Sequence, residues 1–255
     1  SGAEGAVLMI EFQALASSSD GCAYHLSGGG ASAPLLIECG LPLKFIQRAL
    51  GWCVSELAGC LISHSHQDHC KAWAELSECG VDIYASKETF SQLTRYGRDR
   101  FSPHNLHSLN PGFPEHIGDW WIHSFEAVHD CDGTLGFVIE SPKGDRLLYL
   151  TDTCYSKVTF PGLTHIAIEC NHSMELLKAN TLAGSLDRSR YSRTAHNHMS
   201  LERLLDLLKA NDLSKVERIT LLHLSDANSD EQEFKLAVER ATGIPVDVAA
   251  KRGEK

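Results

Sequence analysis

Short apolar runs alternate with Ser/Gly-rich turns at the start of the chain: VLMIEFQ (7–13), CAYHL (22–26) and PLLIEC (34–39) are separated by SSSDG and SGGGASA. Runs of this length between turn formers predict successive strands of an antiparallel meander. LKFIQRAL (43–50) then places apolar residues at helical spacing, GCLIS (59–63) reads as a strand, and HCKAWAELSEC (69–79) reads as a helix stopped by Gly80. The pattern continues as strand VDIYA (81–85), a helix over 86–95, and strands DWWIHSF (119–125), LGFVIE (135–140), RLLYLTD (146–152) and HIAIEC (165–170). Residues 171–199 are polar and poor in β-branched side chains. A stretch that long without structure predicts a lid or an inter-subunit arm. Helix SLERLLDLLKAN (200–211) follows, with Ser200 as its N-cap, then strand ERITLLHLS (217–225), helix DEQEFKLAVERA (230–241) and strand PVDVA (245–249). No internal repeat or composition break marks a linker, so residues 1–255 are read as one α/β domain, two mixed β-sheets between helical layers.

Composition adds limits to this picture. Hydrophobic content of 43% and charged content of 22% are ordinary for a soluble globule, and no apolar run approaches the roughly 20 residues of a membrane span. The opening SGAEG has neither a basic region nor a long apolar one, so no secretory signal is expected. Nine cysteines, an odd number without CxxC spacing, are read as reduced thiols of a cytoplasmic protein. A net charge of −10 argues against a protein whose main task is coating a long polyanion, but leaves room for a small anionic substrate beside bound cations.

The chemistry is concentrated in LISHSHQDHC (61–70), at a strand-to-loop junction. His64 and His66 lie two apart, so in an extended segment both imidazoles reach the same side and can share an ion. Asp68 and His69 follow where the chain turns towards a helix and are placed to bind a second ion. Neutral imidazoles with a carboxylate suit zinc, with manganese and iron as alternatives. Three further donors stand at strand ends: His129 in EAVHDCDG, Asp152 in LLYLTDT and His223 in ITLLHLS. Taken singly, each is as easily a cap, a turn former or a satisfied core residue. Together the set is five histidines and two aspartates, enough for two divalent ions.

H-x-H-x-D-H at 64–69, then His129, Asp152 and His223 in this order, resembles the metallo-β-lactamase-fold hydrolases, and the likeness extends over nearly the whole chain. The resemblance implies an αββα sandwich in which His64, His66 and His129 hold one metal, Asp68, His69 and His223 hold the other, and Asp152 bridges them. The blocks GCLISHSHQDH, AVHDCDGTLGFVIE, IAIECNHSMELL and HNHMS are similar to the YycJ/WalJ branch and its phage-borne relatives. That branch is similar to RNase Z and includes anti-Pycsar proteins that open cyclic pyrimidine mononucleotides. Glu38 departs from the pattern, which commonly has aspartate before the glycine.

The resemblance implies hydrolysis of a phosphodiester by water activated on two divalent ions, most simply zinc, with manganese as alternative. Asp68 and His198 are the expected catalytic residues. His198, just before a helix in HNHMS, is the candidate general acid for the leaving oxygen, with His196 as second choice. Glu169 and His172 in IECNH are placed to orient ligand imidazoles. Two basic clusters, RYGRDR (95–100) and KANTLAGSLDRSRYSR (178–193), offer arginine forks for phosphate; Arg193 and Tyr191 are the candidate substrate contacts, the tyrosine by stacking on a base. The expected substrate is a small nucleotide, a cyclic mononucleotide in first place, with exonucleolytic cleavage of DNA or RNA as the alternative. No membrane partner is expected, and a homodimer is.

Overall fold

The computed structural model describes residues 9–96 and 103–251. The meander begins as a hairpin of β1 (Ile10–Ser18) and β2 (Gly21–Gly28), whose register runs from Ile10 opposite Gly28 to Ser18 opposite Gly21. The first strand therefore continues five residues beyond the expected Gln13. Its second half, ALASS, is small and weakly strand-forming by composition, and is held by pairing to Cys22–Tyr24. β3 (Leu35–Ile37), β4 (Gly59–Leu61), β5 (Ile83–Ala85) and β6 (Leu106–Ser108) complete a six-stranded sheet in chain order, parallel from β3 onwards.

The second sheet has seven strands in the order β13-β12-β11-β10-β9-β8-β7. They are β7 (Pro114–Ile117), β8 (Trp120–Glu126), β9 (Leu135–Glu140), β10 (Arg146–Leu150), β11 (His165–Glu169), β12 (Arg218–Leu222) and β13 (Val246–Val248). β10 to β13 are parallel, whereas β9 is antiparallel to both β8 and β10. β8, β10, β11 and β12 consequently run in one direction and end on one side. β6 and β7 carry no sequence signal: three and four residues long, half-exposed or exposed except for the buried Ile117, and opened in β7 by the proline of PEHI, they lack the apolar alternation that marks the others.

Three apolar layers hold the sandwich together. Between the sheets, Tyr24, Leu35, Ile37 and Leu61 meet Trp120, Ile122, Phe137 and Tyr149. Each such side chain contributes roughly 1.5–3 kcal/mol on burial. Trp120 is fully buried and its indole N–H donates to the Ala33 carbonyl at 2.8 Å, so its polar edge costs nothing. The outer face of the first sheet is covered by α1 (Leu43–Ala49), α3 (Trp73–Glu78) and α4 (Lys87–Leu93) through Ile46, Trp73, Leu76 and Phe90. The outer face of the second is covered by α7 (Leu201–Ala210) and α8 (Glu231–Thr242) through Leu204, Leu208, Phe234 and Val238. This is the αββα arrangement expected.

Two expectations need correcting. The helix predicted over 69–79 is two, α2 (Gln67–Cys70) and α3. The break comes at Ala72, whose amide donates to the Cys39 carbonyl while the Cys39 amide donates to the His69 carbonyl. The loop after β3 thus takes backbone bonds that a continuous helix would have used. Residues 171–199 are not an unstructured arm either. They form α5 (Met174–Leu182) and α6 (Arg188–Asn197), N-capped by Ser173 and Asp187, whose side chains accept from the amides of Leu176 and Arg190.

Candidate metal centre and cleft

The carboxyl ends of the co-directional strands converge. Glu38 follows β3, His64 and His66 follow β4, and Asp68 and His69 lie on α2; His129 comes after β8, Asp152 after β10, Glu169 closes β11 and His223 follows β12. Glu38, Asp152 and His223 all have positive φ, 60°, 46° and 52°. A left-handed non-glycine conformation costs about 1–3 kcal/mol and persists only where its surroundings over-determine it. At His223 the determinants are visible: its amide donates to Ser17 Oγ at 2.8 Å and its carbonyl accepts from Asn171 Nδ2 at 2.9 Å. Chain reversal straight after each strand turns the side chain inward instead of along the sheet.

All seven expected donors meet there. His64 Nε2 and His129 Nε2 lie 3.0 Å and 3.2 Å from His66 Nδ1. Asp152 Oδ2 lies 3.6, 3.5 and 3.7 Å from the Nε2 atoms of His64, His69 and His129. Asp68 Oδ2 is 3.6 Å from His69 Nε2 and 3.8 Å from His223 Nε2. The Nε2 atoms of His69 and His223 are buried without any hydrogen-bond partner. Buried nitrogens without a hydrogen-bond partner are expensive, so two inward-facing imidazole nitrogens beside two carboxylates fit a cation. Burial keeps His64 well below, and His129 below, the ordinary imidazole range, which leaves both neutral and ready to ligate. His69 and His223 behave oppositely: burial opposes their charge, but Asp152 together with further negative neighbours, Glu38 at His69 and Glu169 at His223, outweighs it and holds both well above that range. A cation entering there displaces protons.

A second ring of side chains fixes the donors. Glu169, fully buried, accepts from His223 Nδ1 at 3.0 Å and His198 Nδ1 at 2.7 Å through Oε1, and from the amides of Thr153 and Met199 through Oε2. Glu38 faces His69 Nδ1 at 3.5 Å and is itself held by the Ser63 amide and the Tyr149 hydroxyl. The glutamate at this position therefore still reaches a donor imidazole. His198 caps the C-terminal end of α6 and lines the cleft. Burial opposes its charge, but Glu169, by charge and hydrogen bond, outweighs this and raises it above the ordinary range.

The remaining sequence candidates separate. Arg193 lines the cleft, whereas Tyr191 and His196 are not among its lining residues, and His196 turns its Nδ1 back onto the Ser192 carbonyl at 2.7 Å. Of RYGRDR, residues 97–100 lie outside the described residues, and Arg95 is exposed at the end of the α4 region. The fully buried His172 ring contacts no donor imidazole by hydrogen bond, and neither of its nitrogens has a partner. Burial pushes it down to about 4.

His172 has a consequence for acid stability. Its folded value lies below the unfolded value of about 6.5, so as pH falls from 6.5 towards 4 the unfolded chain takes up this proton first, costing up to roughly 3 kcal/mol of stability. His172→Leu is expected to remove that share of the acid sensitivity. Denaturation midpoints across pH 4–7 check it; a parallel fall in both proteins would contradict it.

Two further residues, one beside the donors and one in the cleft, were not singled out from sequence. Asp130, next to His129, has Oδ1 3.2 Å from His129 Nε2 and accepts from Asn197 Nδ2 at 2.6 Å through Oδ2. Its adjacency in the HD pair was the available signal. Arg190, inside the quoted basic cluster, lines the cleft with Arg193.

An αββα sandwich with a five-histidine, two-aspartate cluster at its strand ends defines a metal-dependent hydrolase. The chain belongs to the family described as the beta-lactamase superfamily domain, whose profile matches residues 35–224. Among curated proteins it is similar to exodeoxyribonuclease YycJ of Bacillus anthracis, 25% identical over 244 residues, 91% of this chain and 88% of that one. Among solved structures it is similar to the metallo-beta-lactamase fold protein YhfI of Bacillus subtilis, with a TM-score of 0.71 and 14% identity, over 94% and 96% of the two chains. Human tRNase Z, short form, matches with a TM-score of 0.62 and 14% identity, over 95% and 97%. Among the described residues no helix is long and apolar enough to cross a membrane, and the nine cysteines are unpaired.

Proposed function

We propose that this chain is a two-metal phosphodiesterase acting on nucleic-acid strands. His64, His66 and His129 would hold one divalent ion and Asp68, His69 and His223 the other, with Asp152 within reach of both. The observation that carries this is Asp152 Oδ2, set 3.5–3.7 Å from the Nε2 atoms of His64, His69 and His129, together with the orphaned Nε2 atoms of His69 and His223. Such ions, most simply zinc, with manganese as alternative, lower the pKa of a water to near neutrality and draw charge from phosphate oxygens. The chain's own residues supply the rest. Asp152 and Asp68 supply negative charge beside the imidazoles, and Glu169 favours the protonated form of His198 at the cleft. From there His198 donates a proton to the leaving oxygen as the P–O bond breaks.

The exodeoxyribonuclease relative supports a strand as substrate; the cyclic mononucleotide favoured from sequence is the rival. Protein loaded with zinc or manganese is to be incubated with a labelled oligodeoxynucleotide and with a panel of cyclic mononucleotides. The expected result is shortening of the oligonucleotide, lost at least about 100-fold in His66→Ala. Ring opening with the oligonucleotide intact would overturn the strand reading, and no product from either would overturn phosphodiesterase activity on nucleotides.

A further inference from the structure

α6 has no buried residue, although it lies against the cleft. Its arginines and His196 are exposed, whereas Tyr191, Thr194, Ala195 and Asn197 are half-buried. Arg190 and Arg193 lie three apart, on one face of the helix, and both line the same cleft as His66, His129 and His198. Arg193 Nε is 3.5 Å from Asp130 Oδ2, and the other oxygen of that carboxylate is 3.2 Å from His129 Nε2, the atom that faces Asp152. One carboxylate thus lies between the guanidinium and a donor of the first ion, within 3.5 Å of both. Asn197 donates to the same carboxylate at 2.6 Å and anchors the end of the helix there. Arg190 has Asp187 at 3.9 Å, an exposed contact that leaves most of its five donors for other acceptors. Arg190 and Arg193 are the two guanidinium groups among the residues that line this cleft, beside Asp68, Asp152 and Asp226.

We infer that Arg190 and Arg193 form a second anion subsite, which takes the phosphate next to the one being cleaved. The substrate class is then a strand with consecutive phosphates, not a nucleotide with one. Guanidinium forks suit a phosphate already esterified at both ends, because they read its two free oxygens. The inference rests on the phosphodiesterase reading above and can fail while that reading stands.

The test uses the metal-loaded protein and three dinucleotides with the same scissile bond: thymidylyl-thymidine, its 5′-phosphorylated form and its 3′-phosphorylated form. The expected kcat/KM is about tenfold or more higher for one phosphorylated form than for the parent. In the Arg190→Ala/Arg193→Ala variant the preference should fall to about twofold or less, through KM more than kcat, with part restored by Arg190→Lys/Arg193→Lys. Hydrolysis of all three at equal kcat/KM by the wild type, or an undiminished preference in the double alanine variant, would overturn the subsite and leave the phosphodiesterase standing. No hydrolysis of any of the three would overturn the strand reading and the subsite with it.

Discussion

Asp152→Asn is expected to lower phosphodiester hydrolysis by about 10³-fold or more, on the order of 4 kcal/mol of transition-state stabilisation, and to reduce both metal positions together. Asp152 is 2% exposed, and its Oδ2 stands among three donor nitrogens while Oδ1 lies 3.0 Å from His223 Nδ1. Burial opposes its charge, yet His223 and His69 outweigh this and hold the carboxyl well below the usual carboxylate range. The amide keeps the volume and removes the charge. Two cations brought near five imidazoles then lose the carboxylate they share, and His69 and His223 lose the partner that stabilises their protonated forms without metal. Metal content by elemental analysis, compared with the wild type at matched pH, checks this alongside the rate. Two ions per chain retained at full strength in the variant would contradict a shared ligand.

His198→Ala is expected to act differently: kcat on a nucleotide substrate falls about 10²- to 10⁴-fold while both ions stay bound. His198 Nδ1 is 4.0 Å from Asp152 Oδ1 and is directed to Glu169, and His198 stands outside the seven proposed donors. A general acid matters only where the leaving group needs its proton. With bis(p-nitrophenyl) phosphate, whose leaving group departs as a stable anion, the loss should shrink to about tenfold or less. The pH profile follows the same sign. His198 is raised above the ordinary imidazole range, and its acid form is the active one. Activity on nucleotides therefore falls as pH rises through that raised value, a limb absent with the p-nitrophenyl ester. Equal losses on both substrates would assign His198 a structural role.

The donors were legible in the sequence because each follows a strand whose apolar pattern is strong. GCLIS, RLLYL and ITLL announce β4, β10 and β12, and a polar residue at the end of a buried strand stands out. What fixes those donors was less legible. Glu38, Asp152 and His223 adopt left-handed backbone that no glycine advertises, and it is tertiary hydrogen bonds from Ser17 and Asn171 that hold His223 there. α5 and α6 escaped detection for a related reason. Leu177 is the one buried residue of α5 and α6 has none, so neither shows the apolar stripe by which a helix is recognised. Asp130 was not singled out beside His129, because its contacts come from Arg193 and Asn197 on α6, more than 60 residues away in the chain. His172, read as a group orienting a ligand, sits in the same IECNH run as Glu169; adjacency in sequence could not show that only Glu169 reaches the imidazoles.

The central claim is that two ions held by one shared aspartate make this chain a phosphodiesterase. Its most direct test is a titration of metal-free protein with zinc, followed by hydrolysis of bis(p-nitrophenyl) phosphate. The rate should rise with added metal and level off at two equivalents per chain. Levelling at one equivalent, or no hydrolysis with two ions bound, would contradict the claim.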